Sequence, residues 1–273
     1  MLEVTPPLKR ASKENVKNTV ESIATIVNEL NIDFVNIPEI VMENHKGEPL
    51  YKNIDTRDFA ILIKDATKAK VAINKVTVYS PEKEFDKWLD DTLDNYGINH
   101  LIFVGGNKAN GYPGISVIDA NTNAINRNVK VGNILIPNRQ NELEKLISKT
   151  EKGASFFTTQ ILFEENIITA LLLQYVKLCK EKSIKPAEIF IGVAPMRDEM
   201  DLEFIKWLGV EIPEKIEQRL KVNYSDSINI ANEIYNNASQ KSNLPLSLNV
   251  EPLTTHNLPL AKEIIQKCIR SIS

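Results

Sequence analysis

The chain has 273 residues, of which 42% are hydrophobic and 25% charged, and its net charge is -3. That balance allows one large core or two modest ones. It offers no basic footprint for nucleic acid, so a small-molecule ligand is expected.

The two cysteines, Cys179 and Cys268, stand in no metal or redox spacing, which fits a reducing compartment. His45, His100 and His256 are scattered, so no metal site can be read from their spacing. The longest apolar runs, such as IITALLL, are far below a membrane-spanning length, and no basic segment precedes an apolar one at the start. A cytoplasmic protein without membrane attachment is the expectation.

Leu2, Glu3 and Val4 read as a short strand that Pro6 and Pro7 end, because proline has no ladder donor. Residues 13 to 30 then place Val16, Val20, Ile23, Ala24, Ile26, Val27 and Leu30 on one helical stripe, with Ser12 as N-cap. FVNI follows as a strand, then a helix near 56 to 69, the strand VAINKVTV, a helix from Pro81 to Tyr96, and the strand HLIFV running into GGNKANGYPG. Next come VGNILI, the helix NELEKLISKTEKG, the strand SFFTTQ and a helix from about 165 to 182. Strand EIFIGV, a helix over 200 to 208, a helical pair between 213 and 242, strand LSLNV and a helix over 257 to 271 complete the chain.

Strands alternating with helices imply right-handed crossovers and a parallel sheet. Eight such units in this length predict a (β/α)8 TIM barrel, a single domain over residues 1–273, with no further domain after the closing helix. A doubly wound open sheet is the alternative, but no G-x-G-x-x-G turn follows any strand.

Ligand sites of such barrels lie at the C-terminal strand ends. The first strand ends on Glu3, the second near Asn36 and Glu39, and the third carries Asn74, Lys75 and Thr77. The fourth runs into Gly105, Gly106 and Asn107, the fifth into Pro137, Asn138 and Arg139, and the sixth into Thr158, Thr159 and Gln160. The seventh leads through Gly192 to Arg197, and the eighth ends near Asn249 and Glu251. Glu39 and Glu251 read as solvated loop charges, Arg197 as a partner of Asp198 or Glu199, and His100, at a strand entry, as structural. Gln160 is different. A primary amide closing an apolar strand needs partners, and a ligand with a donor-acceptor edge can supply them.

The segments LEVTPP, INHLIFVGGN, KGASFFTTQILFE and GVAPM occur in the order and at the approximate separations of methylenetetrahydrofolate reductases, and the chain resembles that family from Glu3 to the final helix. The resemblance implies a flavin-dependent barrel in which Glu3 is the catalytic acid and Gln160 contacts the pterin of a folate. Asn107 and Arg197 are further substrate-binding candidates. On the cofactor side it points to Asn74, Gly105, Gly106, Lys149 and Arg139, with FAD and NADH or NADPH as hydride carriers and a homo-oligomer or partner subunit as company.

The departures bear on the cofactor. Gly105, Gly106 and Asn107 stand where the family has Arg-Gly-Asp, Asn74 stands at or beside the usual histidine, and ILIPNRQNE replaces a Tyr and a His-Pro-Glu-Ala segment. Three readings follow from this. The first is a reductase with a divergent flavin site, and the second a relative that takes hydride directly from a nicotinamide or a partner's cofactor. The third is a non-reductive pterin-binding subunit or methyl-transfer partner.

Overall fold

In the computed structural model, which describes residues 1–106 and 111–270, the chain alternates short strands with helices nearly throughout. The first half contains β1 (Leu2–Glu3), α1 (Lys13–Glu29), β2 (Phe34–Ile37), β3 (Met42–Glu43), β4 (Pro49–Leu50), α2 (Thr56–Ala66), β5 (Lys70–Val76), α3 (Glu82–Asp94), β6 (His100–Val104) and α4 (Val117–Ile125). The second half contains β7 (Lys130–Leu135), α5 (Glu142–Glu151), β8 (Ala154–Thr159), α6 (Asn166–Glu181), β9 (Glu188–Val193), α7 (Glu199–Trp207), α8 (Glu214–Val222), α9 (Ser227–Lys241), β10 (Leu246–Val250) and α10 (Leu258–Arg270). Eight parallel strands close into a barrel in the order β1-β10-β9-β8-β7-β6-β5-β2. The fold is the (β/α)8 barrel that the alternation predicts.

Two features go beyond the sequence reading. Residues 42–50 form a small antiparallel hairpin in which Met42 opposes Leu50. In addition, a helix, α4, stands between β6 and β7, capped by Ser116, whose hydroxyl accepts from the Asp119 N–H. Both are short, and neither carries a clear apolar period.

By its internal contacts the chain divides into two compact units. One comprises residues 1–3, 135–147 and 157–273, the other residues 4–134 and 148–156.

In the unit built on residues 4–134, α1 starts at Ser12, which accepts from Asn15 N at 3.1 Å, and buries Ile23, Ala24, Ile26 and Val27. The registers Ile37↔Ile73, Ile73↔Leu101 and Phe103↔Asn133 put alternate residues of β2, β5, β6 and β7 on one face. On that face Phe103 meets Phe85 of α3 edge-on, with ring centroids 5.3 Å apart. Fully burying such a side chain contributes roughly 1.5–3 kcal/mol. The same face holds one polar exception. Asn133 and Asn121 exchange amide hydrogen bonds of 2.9 and 3.1 Å, which satisfies both buried side chains. On the opposite face Gly132 leaves room for the Phe156 ring, whose nearest atoms lie 2.4 Å from where a Cβ would stand. His100 sits at the start of β6 against Phe34, with centroids 5.1 Å apart, in keeping with a structural role.

A buried ion pair holds the segment after β2. Lys75 Nζ donates to Glu39 Oε1 at 2.8 Å, and the other carboxylate oxygen accepts from Val76 N at 2.6 Å. The Lys75 ammonium also lies over the rings of Trp88 and Tyr51. Glu39 is therefore a structural anchor, which corrects its reading as a solvated charge. Burial, and after it the Glu39 charge, push the Tyr51 phenol up to about 12.

In the other unit, Ile189, Ile191 and Val193 of β9 run beside Leu246, Leu248 and Val250 of β10. Leu202 and Ile205 of α7 and Ala261 and Ile264 of α10 are fully buried. The Tyr175 hydroxyl accepts from Ala187 N at 2.8 Å, which satisfies the turn into β9.

Removing one partner of a buried ion pair leaves the other charge desolvated. Lys75→Met is expected to lower the unfolding free energy in urea by about 3 kcal/mol; a loss below the error of the titration would contradict the buried pairing.

Candidate functional site

The shortest strand of the barrel sets the site. β1 pairs with β10 through Leu2↔Val250, supported by Val250 N donating to Met1 O at 3.0 Å and the Met1 ammonium donating to Leu248 O at 2.7 Å. Because strand residues alternate in facing, the next residue on each strand, Glu3 and Glu251, falls on the same face, side by side. Two carboxyl groups thus meet where the strands end. Glu251 N donates to Val193 O at 2.9 Å, which fixes its backbone, and Asn249 Nδ2 donates to Glu251 Oε1 at 3.0 Å.

Gly192 makes the space for this carboxyl. A Cβ there would lie 2.7 Å from Glu251 Oε1 and 2.7 Å from Thr159 O. The peptide is held in place by Gly192 N donating to Thr159 Oγ1 at 2.8 Å. Burial, and then the like charge of Glu3, raise the Glu251 carboxyl well above the ordinary 4.5, against the lowering effect of the Asn249 hydrogen bond. The reading of Glu251 as a solvated loop charge is corrected here. First and last strands of a closed barrel are neighbours, and that topology was the signal that could have paired it with Glu3.

Gln160 follows β8, its N–H donating to Leu135 O at 2.9 Å. No side-chain hydrogen bond is formed by its amide among the described residues. The residue lines an open cavity of about 330 Å³ together with Pro137, Asn138, Leu162, Ile167 and Val210. Neither Glu3 nor Glu251 lines it.

The loop after β9 is pinned from beneath. The buried Asp201 carboxylate accepts from Arg197 N and from Asn257 Nδ2, both at 2.7 Å, and Met196 N donates to Ser227 Oγ at 2.9 Å. The Arg197 guanidinium turns to Asp198, at 3.0 Å, as its neighbour in sequence suggests. That contact holds the Asp198 carboxyl below its usual range.

The residues that the resemblance assigns to a cofactor are differently placed. Arg139 donates to Glu142 Oε2 at 2.7 Å, and the other oxygen of that buried carboxylate accepts from Ile136 N. Lys149 donates to Ile134 O at 3.0 Å. Asn74 is buried on β5, and its Oδ1 has no hydrogen-bond partner among the described residues. Gly105 and Gly106 are exposed, and Asn107 lies outside the described residues. The described set therefore offers one orphaned amide oxygen and two bare glycines, while both cations are already engaged within the protein. It does not fit the diphosphate of FAD. No group of three or more His, Cys, Asp or Glu side chains could hold a metal among the described residues, and no described helix is long and apolar enough to cross a membrane.

The fold is that of the (β/α)8 barrels, a class whose ligand sites lie at the C-terminal strand ends. The profile of the mycobacterial methylenetetrahydrofolate reductase family matches residues 2–266, and the chain belongs to that family. Among solved structures, an uncharacterized protein from Clostridium thermocellum that binds two copies of 5-methyl-5,6,7,8-tetrahydrofolic acid superposes with a TM-score of 0.81 at 20% identity, covering 100% of this chain and 96% of its own. The Bacillus cereus spore cortex-lytic enzyme SleL superposes with a TM-score of 0.55 at 10% identity, covering 96% and 73% respectively. At these identities the likeness is one of fold. A search of curated protein sequences finds no match.

A proton that Glu251 holds in the folded chain and releases on unfolding makes stability fall as pH rises from about 4.5 through the raised value. Glu251→Gln removes that contribution. The stability difference between variant and native protein, followed by thermal melts, is expected to move in the variant's favour as pH rises across this window. A constant difference would contradict the shift. Gly192→Ala, which drives a methyl into the Glu251 carboxyl and the Thr159 carbonyl, is expected to lower the melting temperature by several degrees; an unchanged melting temperature would show that the space is not tight.

Proposed function

We propose that this protein reduces methylenetetrahydrofolate, or a related pterin, to its methyl form with hydride from NADH or NADPH. The observation that carries the reading is the position of Glu3, at the end of β1 and beside Glu251, in a chain that matches this reductase family over residues 2–266. The clostridial protein of the same fold binds the methylated folate that such a reaction would form.

Glu3 donates its proton to the nitrogen that leaves the bridging carbon of the closed imidazolidine ring. As that carbon–nitrogen bond breaks, its electron pair stays with the nitrogen and an iminium forms at the carbon. Hydride from the dihydronicotinamide then adds to the iminium carbon, giving the methyl group and the oxidised nucleotide. General acid catalysis of this kind contributes about 10²–10⁴-fold. A carboxyl that holds its proton near neutral pH suits the step. Gln160 presents an amide donor and acceptor to the pterin edge, with Asn107 and Arg197 as further substrate contacts. Direct transfer from the nicotinamide is favoured because Lys149 and Arg139, the cations at the flavin positions, are bound internally.

A second reading is a pterin-binding subunit or methyl-transfer partner that transfers no hydride; it is favoured by the clostridial protein, whose stated property is binding. Assays with NADH and NADPH separate the two. Glu3→Gln is expected to lower kcat at least about 100-fold while folate affinity stays within a few-fold. Activity within a few-fold of the native protein would remove Glu3 from the acid role. Gln160→Leu, which leaves a pterin edge unpaired, is expected to weaken folate binding by about tenfold in isothermal titration. Binding without turnover by either nucleotide, with or without added FAD, would establish the second reading. A yellow protein carrying stoichiometric FAD would make flavin the immediate hydride donor.

A further inference from the structure

Glu251 has no assigned part in the reaction, yet its surroundings are unusual for a carboxylate. Facing it from β1 is the carboxyl of Glu3, placed beside it by the Leu2↔Val250 register. From β9 it faces the bare backbone of Gly192, and from β8 the carbonyl oxygen of Thr159. That oxygen, the Gln160 carbonyl and Glu251 Oε1 all crowd the point where a Gly192 Cβ would stand, at 2.7, 3.2 and 2.7 Å. From β10 comes one donor, Asn249 Nδ2, while the buried Asn249 Oδ1 has no hydrogen-bond partner among the described residues. In the same unit the Met1 ammonium donates to Leu248 O, and the Arg197 guanidinium pairs with Asp198. Acceptors thus crowd this corner, and the charge that acts on Glu251 is a second carboxylate. Such a setting favours a carboxyl that carries a proton.

We propose that Glu251 is a positioning residue for the acid step: brought beside Glu3 by the Leu2↔Val250 register and the space at Gly192, it forms with Glu3 one carboxyl pair that shares a proton, and so sets the pH range over which Glu3 can donate. The inference rests on the reading of Glu3 as proton donor. The proton moves between the two carboxyls and is given up from Glu3. The Glu3 O–H bond breaks, the N–H bond forms on the departing nitrogen, and the second negative charge on the pair is offset by the iminium forming beside it. After hydride addition cancels that cation, the pair regains its proton from water as product leaves. No further reactant is needed.

Glu251→Gln keeps the size of the side chain and an acceptor for Asn249 but removes the like charge. The acid step then rests on Glu3 alone. Its rate should fall with rising pH at least about one unit earlier than in the native protein, a loss of about tenfold at neutral pH that is recovered as the pH is lowered. A loss of the same size at every pH, or an unchanged profile, would overturn the proposal. A second readout does not depend on turnover or on the variant folding. In native protein labelled with ¹³C at the glutamate carboxyls, one of them should keep its proton near neutral pH by NMR. Two carboxyls that both ionise near 4.5, the ordinary value, would overturn the pairing. If the labelled protein shows the shared proton but reduces no folate, the reading of Glu3 as donor fails and the positioning role fails with it, while the pair itself stands.

Discussion

The pairing of β1 with β10 governs this structure. A strand of two residues completes the ring of eight, and it is held by main-chain bonds of Met1 to Leu248 and Val250, in the register Leu2↔Val250. The register of that pairing decides which residues meet at the strand ends, because a slip of one residue would turn Glu3 to the other face. Leu2 and Val250, both fully buried, oppose such a slip. Hydrophobic packing on one face thereby fixes the carboxyls on the other.

Several cations of the chain are engaged within their own unit. In the unit of residues 4–134, Lys75 is bound by Glu39 and Arg57 by Asp55 and Asp91. In the other unit, Arg139 is bound by Glu142 and Arg197 by Asp198. In that unit the Gln160 amide is left for a ligand. Neutral donors and acceptors suit the amide-like edges of a pterin or a nicotinamide better than a diphosphate.

Much of the fold was legible because its signal is repetitive. Each buried strand is a short apolar run and each covering helix a longer periodic one, so strand and helix alternate visibly from LEVTPP to the closing helix. The β3–β4 hairpin and α4 escaped for physical reasons: two-residue strands have no period, and VIDANTNAI places Asn121 in the core through a partner, Asn133, that lies on another element. The site was legible one strand end at a time. Glu3, Gln160 and Arg197 could be named from their positions, but the burial of Glu251 depends on a neighbour 248 positions away and on the missing side chain of Gly192. Likewise, the internal engagement of Lys149 and Arg139 is a matter of local folding, with nothing in the residue type to announce it.

The most direct measurement follows the hydride. The protein is mixed with methylenetetrahydrofolate and NADH or NADPH deuterated at the transferable position, without added flavin, and the folate product is examined by mass spectrometry and NMR. The account predicts that one deuterium appears in the new methyl group. Unlabelled methyl product, or no product with either nucleotide, would contradict it.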